Sequence, residues 1–356
     1  MPTGNIFLRE KWLTAHLKEI KHKAGTRYTP ELNVELPIAE IFDGLARTPA
    51  FYTPIRSHYG NLIRAHSSIK LKKPDKDLDK HFKKLNSEFV KLKEHLSQIK
   101  NYNNSDICWK QICDKAKKSE DNLWELIRQV EYIREAQKNN SSDENKKGSD
   151  SSRSSSVDEY TTHYMYKLLK ELEFFIKLSN SSKSKTSNMP VLSVNGSAGT
   201  GKTHLLCDIV QMRINQRYPS ILIFGEWFNK RKSIWSQIIE QLNIGKTIRN
   251  KSQLFKMLDS AGKKSNVRSL ICIDALNEST EGFWKKNINL LVDEVRKYPN
   301  ISLVVTIRNG YENTILSNKT IRKKIIQVEH HGFPGDVIWD AITYFFKKYN
   351  ITFPEV

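Results

Sequence analysis

A glycine-rich segment of eight residues carries the clearest chemistry in this sequence: Gly196, Ser197, Ala198, Gly199, Thr200, Gly201, Lys202 and Thr203. It matches the pattern GxxxxGK[ST] in full, in which backbone N–H groups and a lysine surround the phosphates of a nucleotide. We expect residues 196–204 to bind the nucleotide, with Lys202 reaching the β and γ phosphates and the Thr203 hydroxyl binding Mg²⁺. The imidazole of His204 has no expected catalytic role. ATP and Mg²⁺ are the expected cofactors.

Two acidic residues follow further along the chain. Asp274 ends an apolar run, and a buried strand would deliver it beside the glycine-rich loop, where it can hold the metal ion. Glu278 comes four residues later and is expected to polarise a water against the γ phosphate. The structural alternatives are a carboxylate that merely ends a strand and a solvated glutamate.

Arg308 ends another apolar run, residues 301–307. If that strand is inserted between the strands that carry the glycine-rich loop and Asp274, its end faces the γ phosphate, and Arg308 can sense that group. The alternative is an arginine that pairs with a surface carboxylate. Lys202, Glu278 and Arg308 are therefore the expected catalytic residues, and Thr203 and Asp274 the expected metal ligands. His330 and His331 lack further ligands at metal spacing and are interpreted as structural.

These residues need a scaffold of alternating strands and helices. Apolar runs predict strands at 191–195, 221–225, 269–274, 302–307 and 324–328, with helical patterns between them. We predict an α/β fold of the P-loop NTPase class, with a five-stranded, mainly parallel sheet in the order 5-1-4-3-2. This P-loop domain is assigned to residues 190–356.

The preceding part of the chain is predicted to be mostly helical. Apolar residues recur at helical spacing in residues 6–23, 82–100 and 121–136, so residues 1–136 are assigned to a helical N-terminal region of unknown function. The segment 27–38 contains two prolines and is predicted to be extended.

Polar tracts separate the two regions. Residues 137–158 are predicted to be a disordered linker, because the tract within them has no aliphatic or aromatic side chain to bury. Residues 159–178 repeat apolar positions at helical spacing and are assigned to a connecting helix, and residues 179–189 to a second polar linker.

Composition excludes several classes of protein. The chain has 356 residues, four cysteines without paired CxxC spacing and no run of about 18 apolar residues, so we expect a cytoplasmic protein with free thiols and no membrane span. Its 58 basic and 39 acidic residues give a net charge of +19, which favours a polyanionic partner such as nucleic acid. A coding bias towards lysine is the alternative explanation.

The segments 196–206, 269–278, 301–312 and 330–351 together resemble bacterial STAND NTPases, the signal-transduction ATPases that include NACHT proteins. The nearest resemblance is to the antiviral, Avs-like members, and residues 27–38 also resemble a stretch that precedes the NTPase in related proteins. The resemblance implies a molecular switch that hydrolyses ATP slowly or on demand, responds to a protein trigger and forms homo-oligomers when activated. It implies the same roles for Lys202, Thr203 and Asp274, a water-activating role for Glu278 and a sensor role for Arg308.

The chain departs from that family in two respects. Asn277 stands where NACHT-type proteins often have a second acidic residue, which bears on the rate of hydrolysis. The winged-helix part and the sensor repeats of the family are not recognisable before Val356, so we expect the P-loop domain to be truncated on its C-terminal side.

Three other functions are compatible with the motifs. They are a loader or remodeller that grips DNA or RNA, a nucleotide-binding interaction module that does not hydrolyse ATP, and a small-molecule kinase. The kinase is disfavoured because no lid-like cluster of arginines follows the predicted sheet. The motifs leave the choice between ATP and GTP open.

Overall fold

The computed structural model describes residues 8–30, 38–71, 74, 76–99, 105–142, 159–332, 335, 338–348 and 351. These residues fall into two compact units. The first, called here the P-loop unit, comprises residues 1–49, 102–105 and 185–356, and the second, called the helical unit, comprises residues 50–101 and 106–184. The P-loop unit is thus formed by separate stretches of the chain.

The P-loop unit contains one five-stranded sheet. Its strands are β1 (Val191–Gly196), β2 (Ser220–Phe224), β3 (Ser269–Asp274), β4 (Ile301–Arg308) and β5 (Ile326–Glu329). Every pairing is parallel and the order is β2-β3-β4-β1-β5. This confirms the predicted α/β fold and the predicted order, which is the same order read from the other edge. Strand β4 lies between β1 and β3, as the interpretation of Arg308 requires.

The described residues form helices α1 (Glu10–Ala24), α2 (Ala39–Ala46), α3 (Pro49–Ser67), α4 (Lys76–Ser97), α5 (Trp109–Ser142), α6 (Glu159–Asn180), α7 (Ser182–Asn188), α8 (Lys202–Asn215), α9 (Ile234–Gln241), α10 (Lys251–Ser265), α11 (Phe283–Val295), α12 (Glu312–Ile315), α13 (Lys319–Arg322) and α14 (Ile338–Lys348). The helical character predicted for the N-terminal region is confirmed. No helix in the described ranges combines the length and the apolar character needed to cross a bilayer.

The central strands of the sheet read as nearly continuous apolar runs because both faces are covered. All six residues of β3 are buried. Helix α1 contributes Leu13, Leu17, Ile20 and Ala24 to the same apolar core. The first part of the predicted N-terminal region therefore packs with the P-loop unit, an arrangement that the division at residue 136 did not anticipate.

The helical unit has its own buried side chains at helical spacing. In α4 they are Leu78, Leu85, Phe89, Leu92 and Leu96. Helix α4 packs along α5, and α5 along α6. Such spacing aligns apolar residues on one face of each helix, as the sequence predicts.

The polar tracts differ from their predicted form. Helix α5 continues to Ser142, into the predicted linker 137–158, and residues 143–158 lie outside the described residues. The tract 179–189 is mostly helical, with Ser184, Thr186 and Ser187 buried. Short hydroxyl side chains can be buried there because they hydrogen bond to the backbone, as the Thr186 hydroxyl does by donating to the Ile41 carbonyl at 3.3 Å.

The segment predicted to be extended at 27–38 is only partly described. Residues Gly25–Arg27 form a single 3₁₀ turn, and Tyr28 is extended, with φ −134° and ψ 115°. Residues 31–37 lie outside the described residues. The turn at the end of α1 brings Arg27 and Tyr28 towards the carboxyl ends of the strands.

Candidate nucleotide site

The glycine-rich loop occupies the position that its chemistry requires, between the end of β1 and the start of α8. Gly201 precedes α8 with a φ of 88°, in the left-handed region that glycine adopts without strain. Because α8 begins at Lys202, its free N–H groups and the positive end of its dipole point into the loop. The loop is therefore suited to hold an anion.

Lys202 lies within this loop. Its ammonium donates hydrogen bonds to the carbonyls of Gly196 at 2.8 Å and Ser197 at 2.7 Å. Burial lowers the pKa of Lys202, the charge of Asp274 opposes that shift, and the charge of Arg308 adds to it. A phosphate oxygen offers the ammonium a stronger partner than a carbonyl does, because both partners are then charged.

Asp274 is brought to the loop by β3, as the sequence predicts. Its side chain is buried, and one carboxylate oxygen accepts a hydrogen bond from the Thr203 hydroxyl at 2.6 Å. The other oxygen accepts one from the Thr306 hydroxyl at 2.5 Å. The Thr306 oxygen in turn accepts a hydrogen bond from the Ala275 N–H at 2.7 Å. Asp274 is thus held in one orientation from two sides.

Arg308 ends β4 directly beside the loop, since the strand register pairs it with Gly196. Its side chain is exposed, and its charge acts on Lys202. The neighbouring Asn277 accepts a hydrogen bond from the Arg308 N–H at 2.9 Å. The residue that stands in place of a second acid therefore ties the end of β4 to the segment after β3.

Glu278 follows β3 in a 3₁₀ turn, Leu276–Glu278, and belongs to a charged cluster. Arg27 reaches the Glu278 carboxylate at 3.4 Å and the Glu226 carboxylate at 3.0 Å. Burial raises the pKa of Glu278, Arg27 opposes that shift, and Glu226 and Asp274 add to it.

His204 and His330 also lie against the loop. His204, in the first turn of α8, places its Nε2 3.0 Å from an Asp208 carboxylate oxygen, and its ring lies 4.9 Å from that of Tyr28. His330 is buried, and a Cβ added at Gly196 would lie only 2.5 Å from the His330 carbonyl oxygen. Burial and the charge of Lys202 lower the pKa of His330, so its ring is neutral at pH 7.

The structure thus brings the sequence-predicted residues Lys202, Thr203, Asp274, Glu278 and Arg308 to one edge of the sheet. Sequence reasoning missed Arg27, Glu226 and Thr306. Thr306 had a usable signal, since it lies two residues before Arg308 and so on the same face of β4.

The donor set fits a magnesium nucleotide. The Thr203 hydroxyl and the Asp274 carboxylate already lie within hydrogen-bonding distance of each other, and oxygen ligands of these kinds suit Mg²⁺. Lys202 and the N–H groups at the start of α8 supply the positive charge that the phosphates need.

Parts of this chain are similar to parts of known solved structures. Cdc6p from Pyrobaculum aerophilum is 19% identical over 45% of this chain and 43% of its own, with a TM-score of 0.31. The Drosophila ORC structure bound to AT-rich DNA and Cdc6 is 11% identical over 42% of this chain and 52% of its own, with a TM-score of 0.29. PCH-2 from C. elegans is 16% identical over 47% of this chain and 43% of its own, with a TM-score of 0.26.

Each match spans less than two thirds of the neighbour's chain. No protein-family model and no curated protein matches the sequence. At these TM-scores the likenesses are too limited to argue from. The P-loop NTPase fold is established by the sheet order and by the position of the glycine-rich loop between β1 and α8.

Proposed function

We propose that this chain binds a nucleoside triphosphate with Mg²⁺ and hydrolyses it. The observation that carries the proposal is the 2.6 Å contact between Thr203 and Asp274 at the mouth of a loop whose lysine is already directed inwards. These residues come from α8 and β3, and their side chains meet only because the sheet brings both elements together. A glycine-rich turn without a ligand would not need this arrangement.

Each residue has a distinct role in the proposed reaction. The loop N–H groups and Lys202 bind the phosphates, and Thr203 and Asp274 hold the metal ion. Magnesium, when bound, neutralises charge on the β and γ phosphates. Glu278 accepts a proton from a water that attacks the γ phosphorus, the bond to the β–γ bridging oxygen breaks, and the products are a nucleoside diphosphate and inorganic phosphate. Arg308 stabilises the charge on the γ phosphate.

The resemblance to bacterial STAND NTPases supports a more specific proposal. The chain would be the NTPase part of a switch in antiphage defence or signalling, with ATP as its nucleotide. Turnover would be slow until a protein trigger arrives, and the activated form would be a homo-oligomer. An equilibrium between monomer and oligomer that shifts only with ATP and a trigger is the behaviour to look for.

Substitution of Lys202 tests nucleotide binding. Lys202→Ala removes charge-assisted hydrogen bonds to phosphate, each worth about 1.5–3 kcal/mol, so ATP affinity should fall by about tenfold to a hundredfold or more. Calorimetry with Mg²⁺ and ATP measures the change. Lys232→Ala is the matched control, since Lys232 pairs with Glu240 and is exposed. Equal affinity for ATP in the Lys202 variant and the parent would contradict the proposal.

Substitution of Glu278 tests hydrolysis separately. Glu278→Gln keeps the shape of the side chain but removes the general base, so phosphate release should slow by about 10²–10⁴-fold while ATP binding is retained. Unchanged turnover would remove Glu278 from the catalytic role. Turnover that rises on addition of DNA and falls steeply with salt would favour a nucleic-acid machine over the proposed switch.

A further inference from the structure

Arg27 lies far from the P-loop in sequence, yet its guanidinium joins two carboxylates at the candidate site. Its Nη2 donates to one oxygen of Glu226 at 3.0 Å, and its Nη1 lies 3.4 Å from the other. The same Nη1 donates to Glu278 at 3.4 Å. The guanidinium carbon also lies 4.8 Å from the centre of the Phe224 ring. Arg27 is therefore held by contacts with two carboxylates and one aromatic ring.

Helix α1 fixes the place of Arg27. The helix buries Leu13, Leu17 and Ile20 in the core of the P-loop unit, and Arg27 follows in the 3₁₀ turn after its last residue. Lys21 donates a hydrogen bond to Gln211 of α8 at 2.8 Å. The position of the guanidinium is thus set by a 15-residue helix anchored in the core.

Glu226 is brought to the cluster by close packing of two strand ends. A Cβ added at Gly225, just after β2, would lie 2.7 Å from the Asp274 carbonyl oxygen and 2.8 Å from that of Ala275. Only glycine permits this approach. Glu226 consequently stands beside the turn that carries Glu278, and Arg27 contacts both carboxylates.

We propose that Arg27 is a positioning residue for Glu278, and that its guanidinium, braced by Glu226, holds the Glu278 carboxylate in place for proton abstraction from the attacking water. The inference rests on the proposed hydrolytic function and deepens it. Helix α1 then becomes part of the catalytic apparatus, because it sets the place of the cation that orients the base. An arginine suits this task because its planar fork can contact both carboxylates at once.

The charges around Glu278 give the proposal a distinctive readout. Arg27, Glu226, Asp274 and Lys202 all act on it electrostatically. Burial and the two carboxylates raise the pKa of Glu278, and Arg27 lowers it. Because the base must be ionised, activity is lost as the pH falls through that pKa. Removal of Arg27 should move the acid limb of the kcat profile to higher pH, and removal of the Glu226 charge should move it to lower pH.

The experiment measures kcat, KM and their pH profiles for ATP hydrolysis by the full chain. Arg27→Gln should lower kcat about tenfold or more, since misplacement of a catalytic group is costly, and should shift the acid limb to higher pH with little change in KM. Arg27→Lys keeps the charge but loses the fork, so its acid limb should stay near that of the parent while kcat is intermediate. Glu226→Gln should shift the acid limb in the opposite direction.

Arg217→Gln is the matched control. Arg217 pairs with Glu10 of α1 at 3.5 Å and its side chain is 83% exposed, so this variant loses the same charge and a contact to the same helix. Its kcat and acid limb should equal those of the parent. A parental pH profile in Arg27→Gln, or a higher kcat, would overturn the positioning role.

Failure of the proposed function looks different. It would appear as a parent chain that binds ATP but releases no phosphate. In that case a carboxyl ¹³C titration decides the structural part of the inference, with Glu278→Gln used to assign the signal. An unchanged Glu278 pKa in Arg27→Gln would overturn the inference without any reference to activity.

Discussion

The hydroxyl of Thr306 contacts two neighbouring residues at the end of β3, Asp274 and Ala275, and so a single side chain supports the geometry of the site. The hydroxyl donates to Asp274 and accepts from the Ala275 N–H. Ala275 has a φ of 54°, unusual for a residue with a side chain, so the backbone bends sharply just after Asp274. The bend and the carboxylate orientation are stabilised by the same oxygen atom.

Thr306→Val should therefore impair both metal binding and the stability of the fold. Valine has nearly the same shape but leaves the part-buried Ala275 N–H without its partner, which costs up to about 1–3 kcal/mol of unfolding free energy. Loss of a group that orients a metal ligand typically lowers metal affinity about 10–100-fold. Titration of ATP binding with Mg²⁺ measures the effect. Thr306→Ser keeps the hydroxyl and should retain most of the affinity, and an equal loss in both variants would contradict the argument.

Sequence alone could predict Lys202 and Thr203 from one local pattern, and Asp274 from an apolar run considered together with that pattern. The contacts of Arg27 carry no such signal. One contact joins Arg27 to Glu226, which lies 199 positions further along the chain, and another joins it to Glu278, which lies 251 positions further along. Only folding brings the three residues together. From the sequence, a charged residue in a polar turn is predicted to be solvated. No local pattern distinguishes it from a charged residue that pairs with distant carboxylates.

For helices and strands too, the sequence predicts what is local but not what forms only on folding. Apolar runs predicted the five strands, because buried parallel strands are continuous in sequence. Their order was predicted from the P-loop class that the glycine-rich motif indicates, with the hand of the crossovers limiting the topologies. The spacing of Leu13, Leu17 and Ile20 predicted a helix but not the core into which it packs. An amphipathic pattern specifies that a helix buries one face, and any apolar surface of the right shape satisfies it. The tract 179–189 was wrongly predicted to be a linker because its polar composition does not show the partners of its hydroxyls, such as the Leu178 carbonyl for Ser184 and the Ile41 carbonyl for Thr186.

His16 shows how α1 is joined to the sheet. Strand β2 lies at one edge, and its Leu222 carbonyl accepts a hydrogen bond from the buried His16 Nε2 at 2.9 Å. The ring also stacks on Trp12, with centroids 5.0 Å apart. Burial lowers the pKa of His16, the Leu222 carbonyl and Glu19 oppose that shift, and Lys23 adds to it. The ring is therefore neutral at pH 7.

The burial of His16 should make the P-loop unit sensitive to acid. The unfolded chain takes up a proton on His16 near its ordinary pKa of 6.5, whereas the folded chain does so only at lower pH. The unfolding free energy should consequently fall as the pH drops below 6.5 towards the lowered folded pKa. His16→Gln keeps a donor but does not titrate, so urea unfolding at pH 7.5 and 5.5 should show a smaller loss in this variant. An equal loss in parent and variant would contradict the assignment.

At the scale of the whole chain, two units with separate cores should respond differently to nucleotide. Every residue proposed to bind nucleotide belongs to the P-loop unit. A ligand that binds only a folded unit stabilises that unit by mass action, by about 2.7 kcal/mol at a hundred times the dissociation constant. Magnesium and a non-hydrolysable ATP analogue should therefore raise the melting temperature of one unit and leave that of the other unchanged.

Core substitutions show which melting transition belongs to the P-loop unit and which to the helical unit. Leu17 of α1 and Leu126 of α5 are both buried, with exposures of 1% and 0%, and replacing either by alanine should cost about 2–5 kcal/mol. In calorimetric melting, Leu17→Ala should lower the transition that nucleotide raises, because α1 shares the core of the sheet. Leu126→Ala should lower the other. If both substitutions lowered the same transition, the two cores would unfold as one. If Leu17→Ala instead lowered the transition that nucleotide leaves unchanged, helix α1 would not belong to the folding unit that holds Arg27 beside Glu278.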